Sequence, residues 1–279
     1  MLVLPLWWSL SVIFASSLLG IAYGRRLHRS GVTLDQRVAV REIPLIPGAL
    51  MLFVALTLGA HLMLSNPQWG WHIPALLEYL LIPWLWAIKL LFITFSMTAI
   101  AALGWLHRRR TGVVLVLLVT VFIGGVEGMT RYVHQPFLPE MTVKERDGVI
   151  LQSSACTCAA AACANIAKLF AVSKTEAEMA AALGTTWAGT APAQIVYGMR
   201  HLGFEARKAT SPQRRAQDIR PPAVLLVDYG AEPDGHAVAF MGMKGDRAEI
   251  WDPVAGVMLV EGASLQARWR GHAIEVSMP

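Results

Sequence analysis

Four residues of this 279-residue chain have the types and spacing for acyl transfer through a cysteine nucleophile. Gln152 stands six residues before Cys158 in ILQSSACTCAAAACANIA, and His236 and Asp252 lie far downstream, eight residues either side of Lys244. The alanine run that begins at 159 makes Cys158 a first-turn residue of a helix, where unsatisfied N–H groups and the helix dipole favour a thiolate, and an adjacent imidazolium favours it further. Gln152, upstream in a loop, can fold back and donate its side-chain amide to an oxyanion beside the sulfur. The segment HAVAFMGM-KG-DRAEIWD reads as a hairpin turning around Lys244-Gly245, which sets His236 beside Asp252 on neighbouring strands. A carboxylate there holds one imidazole nitrogen and leaves the other to act as a base.

The other cysteines fit this scheme as neighbours. Cys156, four residues after Gln152, is the rival nucleophile, and Cys163 falls among helix-interior alanines as a core residue. One intervening residue, or five helical positions, suits a disulfide poorly. A metal clip of Cys156, Cys158 and a histidine lacks a fourth ligand at a sensible spacing, so no metal and no cofactor is expected. Asp228 and Asp234 are alternatives to Asp252 as the carboxylate partner of His236, and RKATSPQRR at 207–215 reads as a solvated loop.

The elements that must carry these residues lie in the second half of the chain. An Ala-rich helix is expected over 155–171, and Ser173 with Glu176 reads as a capping box opening a second helix that ends at Gly184. A third begins near Pro192 and stops at Gly203. Strand patterns follow at 204–209, 223–229, 236–243, 247–252 and 257–262. Helices followed by an antiparallel sheet predict an α+β domain.

The first half reads differently. With 55% hydrophobic residues, 15% charged and ten tryptophans, the chain is oily for a globular domain. Residues 1–130 hold nine Lys/Arg against four Asp/Glu, whereas 131–279 hold fifteen of each. The net charge of +5 therefore reports loops of the first half, and no basic–aromatic interleaving suggests nucleic acid as a partner. Four apolar stretches, 4–24, 45–64, 84–106 and 112–130, have the length of membrane helices. Arginines after the first and third stretches place those loops in the cytoplasm by the positive-inside rule, and residues after 130 outside it. Glu127 reads as a solvated helix end. The expected organisation is a transmembrane module over 1–130, a stalk over 131–147 and a catalytic domain over 148–279.

Residues 148–279 resemble peptidase family C39, papain-like domains that cleave leader peptides after a double glycine. The resemblance rests on the Gln152 to Cys158 spacing, Ala161 three positions beyond the cysteine, His236 in HAVAF and Asp252 in WDP sixteen residues later. Gly189 and LGFEA at 202–206 are further landmarks. It implies a papain-like cysteine peptidase in which Cys158 attacks, His236 carries the proton, Asp252 orients His236 and Gln152 holds the oxyanion. The chain departs from the family at Ala159, where a glycine is usual, and at Thr157, where an acidic residue is common. It also contains no GxxxxGK[ST] motif of a fused ATPase.

Taken together these features predict a multi-pass protein of a bacterial inner membrane, touching the lipid bilayer and a secretion machinery. Its extracytoplasmic peptidase domain would remove the leader or pro-segment of a secreted polypeptide. The alternatives from other classes are a catalytically silent module that holds such a peptide, and a thiol acyltransferase on a similar fold.

Overall fold

The computed structural model describes residues 6–31, 87–88, 90–102, 114, 136–137, 144–228 and 235–279. The chain divides into two compact units, the boundary falling between Tyr132 and Val133.

In the first unit the membrane expectation is corrected. Among the described residues no helix is long and apolar enough to cross a membrane. Helix α1 (Leu6–Arg29) covers the expected 4–24 span but carries Ser9, Ser11, Ser16 and Ser17 along its length and Arg25, Arg26 and Arg29 at its end. Its apolar residues are one-sided: Leu10, Phe14, Leu18 and Leu19 are exposed while Ser9 and Ser16 are buried. Counting apolar residues over a window gave no weight to the hydroxyls along the helix. The 84–106 stretch is described as helix only at 87–88 and 90–102. The 45–64 stretch, and all of 112–130 except Val114, lie outside the described residues, as does Glu127. The helical membrane region and the multi-pass inner-membrane placement are therefore withdrawn. Within this unit Gly20 and Gly24 lie against Thr98, Ala99 and Ala102, so that side chains larger than hydrogen would collide, and Tyr23 packs on Phe95 at 5.6 Å.

The second unit opens with a two-stranded hairpin, β1 (Glu145–Arg146) and β2 (Val149–Ile150), inside the region read as stalk and domain start. Helix α2 (Cys158–Leu169) follows a single 3-10 turn over Ala155–Thr157. Every residue from Ala159 to Ala167 is buried, which is why the sequence is so rich in alanine: small side chains let neighbours approach the helix from all sides. Helix α3 (Glu176–Leu183) ends on Gly184 in the left-handed conformation, φ 65°. Its capping box is Thr175 with Glu178, not Ser173 with Glu176. Helix α4 (Pro192–His201) has proline in its first turn, where a missing N–H costs nothing.

The sheet is antiparallel, with strand order β3-β8-β4-β5-β6-β7. Its members are β3 (Glu205–Thr210), β4 (Ala223–Val227), β5 (His236–Lys244), β6 (Arg247–Asp252), β7 (Gly256–Glu261) and β8 (Trp269–Ser277). Strand β8 and the preceding helix α5 (Gly262–Arg268) had no counterpart in the sequence reading, yet β8 joins β3 to β4. One face gathers Leu225, Val238, Phe240, Ile250, Leu265 and Trp269 into a core. Burying side chains of this size is worth roughly 1.5–3 kcal/mol each, so the strands that carry the site are held by the best-packed part of the unit.

Candidate active site

The cysteine sits where its helix begins. Thr157 caps α2 outside helical geometry, φ −108° and ψ 9°, and Cys158 is the first helical residue. The approach is tied backbone group by backbone group. Gln152 N–H donates to Pro253 O at 2.8 Å, Ser153 N–H to Glu176 Oε1 at 2.8 Å, and Ser154 N–H to Thr157 Oγ1 at 3.2 Å. Farther back, buried Asn165 accepts from Ile150 N–H at 2.8 Å and donates to Ile150 O at 2.9 Å, which fastens β2 to α2.

His236 and Asp252 are brought together as expected, though not by the expected register. The turn lies at Gly245-Asp246, with Lys244 opposite Arg247, and a bulge between Phe240 and Gly242 shifts the pairing. His236 Nε2 nevertheless lies 3.1 Å from Asp252 Oδ1, and the two residues are only 5% and 3% exposed. Asp252 Oδ1 also accepts from Val254 N–H at 2.7 Å and Ala255 N–H at 3.3 Å, a local turn that fixes the carboxylate.

The electrostatics follow from these contacts. Burial, the largest influence on His236, opposes its charge, but hydrogen bonds to Asp252 and Cys158 and their negative charges outweigh it and raise the imidazole from 6.5 to about 9. Burial likewise opposes ionisation of Asp252, and the hydrogen bond from His236 with the N–H groups of Val254 and Ala255 lowers it to about 2. At neutral pH the pair is thus imidazolium and carboxylate. With Nε2 committed to Asp252, the other ring nitrogen, Nδ1, is left for the Cys158 sulfur.

The remaining candidates fall elsewhere. Cys156 Sγ is 3.4 Å from Ser154 Oγ in the turn before the helix. Cys163 is fully buried, and burial, with Cys158 adding to it, drives its thiol far above the ordinary range. All three cysteines are free thiols. Asp228 pairs with Arg270 at 2.9 Å, and Asp234 lies outside the described residues. Within the 207–215 run, Arg207 pairs with buried Glu275 at 2.7 Å and Arg215 with Asp218 at 3.2 Å. Among the described residues no cluster of three or more His, Cys, Asp or Glu could hold a metal ion. Sequence reasoning missed Asn165, Ser153 and Glu176; Asn165 and Glu176 are buried polar residues, and burial is not written in local spacing.

Residues 146–279 match the sequence model of the Peptidase C39 family. A protein of Methanothermobacter thermautotrophicus is 26% identical over 131 residues, 47% of this chain and 89% of its own length. Among solved structures, the peptidase domain of Streptococcus ComA, a bifunctional ABC transporter involved in a quorum-sensing pathway, is 24% identical with a TM-score of 0.43. That alignment covers 46% of this chain and 96% of that one. A double-glycine-motif protease from an AMS/PCAT transporter, in complex with the leader peptide, is 19% identical over 50% of this chain and 95% of that one, with a TM-score of 0.43.

Proposed function

We propose, from the premise that residues 146–279 belong to the Peptidase C39 family, that this unit is a cysteine endopeptidase removing the leader or pro-segment of a secreted polypeptide. The observation that carries the reading is the buried His236–Asp252 pair hydrogen-bonded onward to the cysteine at the first residue of α2.

The Cys158 sulfur, paired with the His236 imidazolium, attacks the scissile carbonyl carbon, and the carbonyl oxygen takes the negative charge. That oxyanion is held by the Gln152 side-chain amide and the Cys158 backbone N–H, donors that matter most where charge develops. As the tetrahedral intermediate collapses, the C–N bond breaks, His236 gives its proton to the departing amine, and a thioester remains. His236 then takes a proton from water, the hydroxide attacks the thioester, and cleavage of the C–S bond releases the carboxylate product and the thiolate. Asp252 keeps Nε2 occupied throughout, so that Nδ1 faces the chemistry. Beside the Asp252–Pro253 turn, exposed Val254, Val257 and Leu259 offer a polypeptide an apolar surface.

The test is mass spectrometry of candidate secreted peptides produced with the full-length chain or its Cys158→Ala variant. Shortened peptides are expected with the former alone, and Cys156→Ala is expected to cleave as the parent does. The same peptides with and without Cys158 would refute the peptidase reading in favour of a module that only holds them.

A further inference from the structure

Glu176 is a buried carboxylate that α3 does not use. It is 4% exposed at the first position of the helix, while the cap is made by Thr175 and Glu178. Its Oε1 reaches out of its own helix to accept both the N–H of Ser153, at 2.8 Å, and the Ser153 hydroxyl, at 3.1 Å. Ser153 is the residue after Gln152. On the other side Gln152 N–H is fixed to Pro253 O, next to Asp252 in sequence. Gln152 is therefore gripped by two elements that are far apart in the chain, and its carboxamide oxygen is buried with no hydrogen-bond partner among the described residues. That oxygen can only accept, so the NH2 of the same amide is the group that can donate to an oxyanion.

We infer that Glu176 is a positioning residue for the oxyanion site: through Ser153 it fixes the backbone from which the Gln152 amide is aimed beside Cys158. The inference rests on the peptidase reading above. A carboxylate serves here because one oxygen can accept from a backbone N–H and a hydroxyl together. An apolar residue at 176 would leave the Ser153 N–H unsatisfied and the loop free to shift. Its effect should therefore appear where charge develops on the substrate oxygen and not where the sulfur merely reacts.

The experiment uses the full chain and a synthetic peptide with two glycines before the scissile bond, alongside alkylation of Cys158 by iodoacetamide, a displacement that forms no oxyanion. Glu176→Leu is expected to lower kcat tenfold or more at unchanged KM while alkylation stays within twofold of the parent. Combined with Gln152→Ala it should add less than twofold to the loss, since the two act through one group. Glu176→Gln, which keeps an acceptor oxygen, should restore kcat to within about threefold. Glu176→Asp keeps the charge but withdraws it by one methylene, so it is expected to lose kcat even if the leucine variant does not fold. A parental kcat in Glu176→Asp, an equal loss of alkylation, or full additivity with Gln152→Ala would each overturn the inference. Cys158→Ala separates this from the underlying reading: cleavage that survives it defeats the peptidase itself, whereas cleavage lost with Cys158 but indifferent to Glu176 defeats only the positioning role.

Discussion

His236 and Asp252 meet diagonally across two strands: Nε2 and Oδ1 are 3.1 Å apart although the register sets Ala239 opposite Trp251, which carries Asp252 beside Val238. Diagonal neighbours on a sheet are within reach of long side chains, and here the imidazole spans the offset. Because the strands are packed on Val238, Phe240 and Ile250, the pair inherits the rigidity of the core.

That pair should govern the pH dependence of stability. His236 is raised from 6.5 to about 9, so its contribution is full below 6.5 and is lost as pH rises through 9. Asp252 is lowered from 3.8 to about 2, so its contribution is full above 3.8 and is lost as pH falls through 2. The stability advantage of the parent over His236→Ala should therefore be largest between pH 3.8 and 6.5 and shrink toward pH 9. Thermal unfolding of both proteins across that range checks it, and a difference that grows with pH would contradict the assignment. For the same reason cleavage should fail on an alkaline limb near 9, and Asp252→Asn should move that limb to lower pH.

Gln152 should matter to turnover and hardly at all to substrate affinity. Its side-chain NH2 is the group that can donate to an oxyanion, while its buried oxygen, which has no partner among the described residues, can only accept. Gln152→Ala is expected to reduce kcat by about 10²-fold with KM within a few-fold, the usual cost of one oxyanion donor. Steady-state kinetics on the peptide substrate decide it; a rise in KM at constant kcat would make Gln152 an ordinary binding residue.

Asn165 should be a stability residue with a long reach. Its amide satisfies both backbone groups of Ile150 inside the unit, two residues before Gln152. Asn165→Ala leaves a buried N–H and C=O without partners, which should cost about 2–4 kcal/mol of unfolding free energy. Denaturant unfolding measures this, and a loss below about 1 kcal/mol would show that water replaces the side chain.

The meeting of His236 with Asp252 was legible because it is written in residue types at a fixed separation, a histidine and an aspartate flanking a hairpin. The site's supports were not. Glu176 looked like half of a capping box with Ser173, because the S-x-x-E pattern cannot tell a helix cap from a carboxylate turned toward another loop. The hairpin was found but its turn was placed one residue early, at Lys244-Gly245 instead of Gly245-Asp246, and the bulge between Phe240 and Gly242, which shifts the register again toward His236, leaves no local mark except the glycine itself. Strand β8 was missed because Trp269 to Val276 is buried on both faces apart from Arg270, so it lacks the apolar–polar alternation that marks a half-exposed strand. In the first unit a count of apolar residues mistook α1 for a span, although its buried side is made of serine and glycine.

Ala159 supplies the last prediction. The family's usual glycine at this position invites the idea that an extra methyl crowds the oxyanion, but Ala159 is 3% exposed and is packed with the rest of α2. A buried methyl on the second residue of the helix contributes to packing and restricts the unfolded chain, and Ala is preferred to Gly in helices by up to about 1 kcal/mol. Ala159→Gly should therefore lower the melting temperature by a few degrees while changing kcat by less than about threefold. Paired thermal and kinetic measurements on the single variant test both halves. A tenfold gain in kcat would show that the methyl obstructs the oxyanion after all.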